Sequence, residues 1–167
     1  FNNHYGLVSF LSHGSPSRVA VATKGLNSEE QGSKYLVTSF DSDYNPYMIT
    51  QENGNGFDNM TNYCHPTIYY SISCTTMPFD NYDYWNEGYR RNMGDMYTCV
   101  AKGGGPAYLG NTRLGSVMSS SELAGAFFYV ALQNQTFNLG KMEAKSKFSM
   151  PIDYVQYSHN LMGCPET

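Results

Sequence analysis

The sequence predicts an α/β domain with a mostly parallel sheet and helices on both faces, and three observations point there. Two short runs, 6–12 and 67–73, are continuous apolar or β-favouring stretches with short flanks, as in strands buried on both faces. Helical patterns fall between and after these runs. Strand and helix alternate along the chain, the order that builds a sheet covered by helices. The length of 167 residues fits a single domain, 1–167.

The first strand, Gly6-Leu-Val-Ser-Phe-Leu-Ser12, runs straight into His13-Gly14. Shorter strands are predicted at Val19–Ala22 and Tyr35–Val37. Residues 41–66 change character: Asp41-Ser-Asp-Tyr-Asn-Pro and Glu52-Asn-Gly-Asn-Gly-Phe-Asp-Asn are polar and turn-rich, which predicts a long surface insertion. Its Asp and Asn side chains are potential calcium ligands, but their spacing does not match an EF-hand loop, and a solvated loop is the simpler reading. The second strand, Thr67-Ile-Tyr-Tyr-Ser-Ile-Ser73, runs straight into Cys74. A helix is predicted from Tyr82 to Met93, capped by Asp80 or Asn81 and stopped by Gly94. Pro106–Gly110 reads as a third strand behind three glycines. Ser119-Ser-Ser-Glu122 reads as a capping box before a helix over Leu123–Gln133. Phe137–Phe148 reads as a last helix, with Leu139, Met142 and Phe148 on one face.

Composition excludes several functions. Net charge is −4 and the ten basic residues form no run, which argues against a nucleic-acid partner. No apolar stretch approaches the ~20 residues of a membrane span. Fifteen Tyr and sixteen Gly with few Lys and Glu point to a secreted or cell-envelope protein. Four cysteines are too few for a disulfide framework at this length, and none has zinc-site spacing with another Cys or with a His. Cys64 and Cys99 are available to pair, though spacing assigns no connectivity. Nine Met residues are spread along the chain as packing residues.

Chemistry is suggested by where the two main strands end. In parallel α/β sheets the active site lies beyond the carboxyl ends of the strands, where both His13 and Cys74 stand. Neighbouring strand ends lie about 5 Å apart. A cysteine nucleophile needs an adjacent base, which histidine supplies near neutral pH. Gly14 lets the backbone approach closely and offers a bare N–H to a developing oxyanion. The blander reading is a small buried Cys and a turn His, and the pattern alone favours it. His65 precedes its strand, so several residues at ~3.3 Å each place it at the opposite end. His4 and His159 read as surface or packing residues, and Trp85 and Tyr69-Tyr70 as core.

Four segments, in order and spanning nearly the whole chain, resemble the catalytic domain of gingipain-type cysteine peptidases (peptidase family C25), in its C-terminal part. They are Leu7-Val-Ser-Phe-Leu-Ser-His-Gly-Ser15, Ile72-Ser-Cys-Thr-Thr-Met-Pro-Phe-Asp80, Gly103-Gly-Gly-Pro-Ala-Tyr-Leu-Gly-Asn-Thr-Arg-Leu-Gly115 and His159-Asn-Leu-Met-Gly-Cys-Pro-Glu166. The resemblance implies a caspase-like three-layer sandwich and a bacterial secreted or cell-envelope cysteine endopeptidase. It assigns Cys74 as nucleophile, His13 as general base, and the N–H groups of Gly14 and Cys74 as oxyanion hole. Protein or peptide substrates follow. No cofactor is required, and structural calcium is allowed. The alternative within the same fold is a non-proteolytic or transpeptidase-like member acting in secretion, assembly or binding.

Cys164 and His159 stand where the family has Asp and Tyr, a change expected to affect packing alone. Glu87 and Arg113 fall on motif-like segments, where a structural ion pair and a substrate role are equally apt. The family places further strands and an acidic residue that orients the histidine ahead of the His strand, and this chain starts just before that strand. The expectation is an incomplete sheet with an open edge at 6–12, completed by a second chain or an N-terminal segment.

Overall fold

Tyr69 and Tyr70 are neighbours in one strand, point to opposite faces, and are both fully buried. A strand that buries a large ring on each side must be covered on each side, so 68–72 is central to its sheet. The computed structural model, which describes residues 3, 5–21, 34–39, 54–80, 91–150 and 153–167, has this arrangement.

The elements in chain order are β1 (Leu7–Leu11), β2 (Gly14–Ser15), β3 (Arg18–Val21), β4 (Lys34–Val37), β5 (Gly54–Gly56), a 3-10 turn (Phe57–Asn59), β6 (Ile68–Ile72), α1 (Met93–Cys99), β7 (Ala107–Asn111), α2 (Val117–Leu132), α3 (Leu139–Phe148), α4 (Tyr154–Ser158) and β8 (His159–Gly163). The main sheet has the order β1-β6-β7-β8, with the first three strands parallel and β8 antiparallel. A second sheet, β2-β3-β4-β5, grows from the carboxyl end of β1.

On one face Tyr69 stacks between Phe10 (centroids 5.3 Å apart) and Tyr108 (4.8 Å), with Phe57 and Tyr97 edge-on. Met93 of α1, Val19 and Leu36 of the second sheet, and Met60 close this core. Burial pushes the Tyr69 phenol well above its ordinary value and that of Tyr108 up to about 12, so both rings stay uncharged at neutral pH. On the other face Tyr70, Ala107 and Leu109 meet Phe127, Val130 and Ala131 of α2 and Leu139 and Met142 of α3. Helices therefore cover both faces, as expected.

Several boundaries differ from the sequence reading. The helix predicted over 82–93 lies mostly outside the described residues. Gly94, read as its stop, sits instead in the first turn of α1, whose cap is the Asn92 side chain, its Oδ1 accepting from the Asp95 N–H at 2.9 Å. A Cβ at Gly94 would lie 2.6 Å from Met77 Cγ, so this glycine serves close packing rather than termination. The long helix starts at Val117 with Ser116 as cap, ahead of the predicted capping box, because three serines continue a helix that Ser116 has already opened. Phe148, predicted on the buried face of α3, is 94 % exposed at its last turn.

Of the segment 41–66, residues 41–53 lie outside the described set. The remainder is not simply a polar surface loop: β5 pairs with β4, and Phe57 and Met60 enter the core. Buried Asn62 donates through Nδ2 to Gly104 O (2.8 Å) and accepts through Oδ1 from Gly104 N (2.9 Å), pinning this segment to the triple-glycine turn before β7. The same turn makes Gly105 irreplaceable: a Cβ there would lie 1.6 Å from Thr67 O. Gly105→Ala is expected to push β6 and β7 apart and to cost on the order of 3 kcal/mol, measurable as a lowered urea midpoint.

Among the described residues β1 is the outer strand of the main sheet. Leu7 and Leu11 on it are 38 % and 56 % exposed, so this run is not buried on both faces as its composition predicted, because no described strand or helix covers its outer side.

Candidate active site

Because β1, β6 and β7 are parallel, their carboxyl ends open on one side of the sheet. Leu11 is in register with Ile72, and the Ser12 N–H donates to Ile72 O at 3.3 Å. One residue further, the Ser12 and Ser73 hydroxyls are 3.3 Å apart. His13 and Cys74 are the next residues on the two strands. They line one cleft of about 270 Å³, with Leu11, Ile72 and Val117 as apolar walls and Asn111, Gly115, Ser116 and Ser120 on the β7–α2 side. His13 is exposed to solvent and Cys74 is half-buried. The Cys74 thiol donates to the Gly115 carbonyl at 3.5 Å.

The chain reverses sharply after Cys74. Thr75 has φ +40°, in the left-handed region, which costs a β-branched residue on the order of 1–3 kcal/mol. Three backbone bonds hold it there: Thr75 N to Arg113 O (2.9 Å), Met77 N to Asn111 O (3.0 Å) and Met93 N to Thr76 O (3.1 Å). The turn leaves Cys74 at the tip of β6 with its side chain over the cleft. Strain of this kind is tolerated where the surroundings over-determine the backbone.

Gly14 packs directly against this turn. A Cβ at that position would lie 2.7 Å from both Ser73 Cβ and Thr76 Cγ2, and 3.1 Å from Cys74 O. Its pairing is informative too. Ala20 N donates to His13 O at 2.8 Å, which makes Gly14–Val19 a non-hydrogen-bonded pair and turns the Gly14 N–H away from β3. Among the described residues the Cys74 N–H has no acceptor either.

The other residues singled out from sequence lie elsewhere. His65 is exposed at the amino end of β6, the opposite end of the sheet, with its N–H bonded to Asn62 O. Cys64, Cys99 and Cys164 are exposed free thiols, so the available Cys64–Cys99 pairing is not formed. Arg113 makes a two-pronged salt bridge to Asp80 (2.6 and 3.2 Å) on the surface, at the rim of a second hollow with Phe79, Tyr154 and Tyr157. His159 is fully buried, and it does more than pack: its Nδ1 lies 2.9 Å from Glu143 Oε1 in a buried pair. His4, Trp85 and Glu87 fall outside the described residues. No three His, Cys, Asp or Glu side chains among the described residues converge as a metal site, and no described helix is long and apolar enough to cross a membrane.

Sequence reasoning missed the β7–α2 wall. Asn111 is 0 % exposed, and its Nδ2 donates to Ser73 O at 2.9 Å, tying the end of β7 to the Cys74 turn. The available signal was positional: Asn111 ends the third parallel strand, on the same side as His13 and Cys74.

The comparisons agree on this architecture. The model of peptidase family C25 matches residues 1–167. A solved structure described as "Structure of Protease" superposes with a TM-score of 0.68 at 14 % identity, covering 99 % of this chain. This chain spans 36 % of the length of that protease. No curated protein matches the chain.

Proposed function

Since the chain belongs to peptidase family C25, we propose that it carries the catalytic dyad of a cysteine endopeptidase, with Cys74 as nucleophile and His13 as general base and acid. The observation that supports this most is the sharing of one cleft by the two side chains, each one residue past its neighbour in a bonded pair of parallel strands. His13 takes the thiol proton, and the Cys74 sulfur attacks the scissile carbonyl. The tetrahedral oxyanion is held by the N–H groups of Gly14 and Cys74. Its collapse breaks the C–N bond, and His13 returns the proton to the leaving amine. Water, activated by His13, then hydrolyses the thioester and frees Cys74. These steps require no cofactor. The substrates are proteins or peptides, and the setting is extracellular or the cell envelope. The exposed edge of β1 is the place at which a further strand, from the same polypeptide or a partner, completes the sheet.

A peptidyl acyloxymethyl ketone tests the pairing. Mass mapping is expected to find one adduct, on Cys74, formed much more slowly in His13→Ala. Equal labelling of the exposed Cys64, Cys99 and Cys164, insensitive to His13, would sink the dyad.

A further inference from the structure

Both N–H groups assigned to the oxyanion belong to peptide units whose other edge is hydrogen-bonded. The Gly14 N–H shares a peptide with the His13 carbonyl, which accepts from Ala20 N of β3 at 2.8 Å. The Cys74 N–H shares one with the Ser73 carbonyl, which accepts from Asn111 Nδ2 at 2.9 Å. The first anchor is main chain to main chain. The second is a side chain, so it can be removed without altering the backbone.

The peptide plane makes such an anchor directional. No described peptide bond is cis, so in each unit the C=O and the N–H point to opposite sides. A donor that fixes the Ser73 oxygen therefore also fixes the direction of the Cys74 N–H. It polarises the unit as well, which strengthens that N–H as a donor. Asn111 is built for this task. It ends β7 and is 0 % exposed, and only the NH₂ side of its amide can donate to a carbonyl, which sets the orientation of the side chain. Its main-chain carbonyl accepts from Met77 N at 3.0 Å, so this one residue holds the chain on both sides of Cys74. That bond and the bond from Thr75 N to Arg113 O (2.9 Å) are main-chain bonds, and they keep the turn in place when the Asn111 side chain is shortened.

We infer that Asn111 is a positioning residue of the oxyanion hole, aiming the Cys74 N–H through the Ser73–Cys74 peptide. The inference rests on the peptidase reading above. Two rates, measured on the full-length protein and on its Asn111→Ala and Asn111→Ser variants, separate aiming from mere support. Both replacements are too short to reach the Ser73 carbonyl. Hydrolysis of a peptide amide passes through an oxyanion, whereas alkylation by iodoacetamide, in which the Cys74 sulfur displaces iodide, does not. The expected result is a fall in kcat of about tenfold to hundredfold, less than the loss of a whole oxyanion donor, with KM little changed and the alkylation rate of Cys74 retained. Alkylation that slows in step with kcat assigns Asn111 to general support of the turn, and an unaltered kcat assigns it no part in turnover. Either outcome overturns the inference and leaves the peptidase reading standing. Absence of hydrolysis above the level of Cys74→Ala in the unaltered protein overturns the peptidase reading, and the inference with it. Should both Asn111 variants misfold, a crystal structure of the unaltered protein with a peptide aldehyde decides the matter. The thiol adds across the aldehyde C=O to give a hemithioacetal, whose oxygen is expected about 3 Å from Cys74 N with the Asn111 amide still on Ser73 O. An adduct oxygen turned away from Cys74 N, or an Asn111 amide released from Ser73 O, overturns the inference.

Discussion

Replacement of Cys74 by Ala is expected to reduce peptide hydrolysis by roughly 10⁴-fold or more, because the acylation route disappears with its nucleophile. The substitution removes one sulfur from a half-buried position where, among the described residues, the thiol bonds the Gly115 carbonyl at a long 3.5 Å, so the fold and peptide binding should survive. The loss therefore belongs in kcat, with KM little changed, and steady-state kinetics on a peptide amide separate the two. His13→Ala should lose about 10²–10⁴-fold, the usual worth of positioned acid–base catalysis. Combining the two changes should cost little more than Cys74→Ala alone, since the groups act as one unit. Multiplying losses in the double variant, or unimpaired turnover in Cys74→Ala, would exclude the dyad. Ala at Cys64 or Cys99, both exposed and remote from the cleft, should leave turnover unchanged.

Glu143→Leu is expected to cost about 3–5 kcal/mol of folding stability. Glu143 lies on α3 at 8 % side-chain exposure, 2.9 Å from His159 Nδ1 and 3.2 Å from Lys147 Nζ. His159 is itself fully buried against the Tyr70 ring, with centroids 4.9 Å apart. Removing the carboxylate leaves the fully buried His159 ring without its acceptor, and leaves Lys147, which is partly exposed, with the His159 carbonyl. The pH dependence has a definite sign. Burial pushes the Glu143 carboxyl up, but the charge and hydrogen bond of His159, then those of Lys147, outweigh it and hold the group below its ordinary value. A depressed carboxylate contributes stability that is present above its unfolded pKa, about 4.3, and is lost as pH falls through the lower folded value. Urea unfolding of the two proteins should thus show a gap that is wide at neutral pH and narrows below pH ~4. A gap that widens on acidification would contradict the assignment.

Much of the framework was legible in the chain. The run 67–73 became β6, covered on both faces, because its apolar, β-branched and aromatic residues lack polar alternation; the run 6–12 became β1, a strand as read, but an outer one whose side chains are exposed or half-buried. The same reading placed His13 and Cys74 at one end of the sheet and His65 at the other. What escaped it was non-local. Gly94 looked like a stop because its packing partner, Met77, is distant in sequence. Phe57 and Met60 sat in a stretch whose polar, turn-rich composition hid their role as core anchors. Strand β8 was not read as a strand because its short, mixed run satisfies its backbone by antiparallel pairing with β7.

The sequence by itself determined where the side chains of the proposed dyad sit: His13 and Cys74 follow directly from two strand-forming runs, and strand periodicity is a local property. Only the tertiary structure decided what surrounds them. The left-handed Thr75, the Gly14 backbone lying against Ser73 and Thr76, and the Asn111–Ser120 wall each depend on atoms brought together from separate elements. The order of hydrogen-bonded neighbours in the sheet sets those contacts, and no pattern along a single strand encodes which strand will lie beside it.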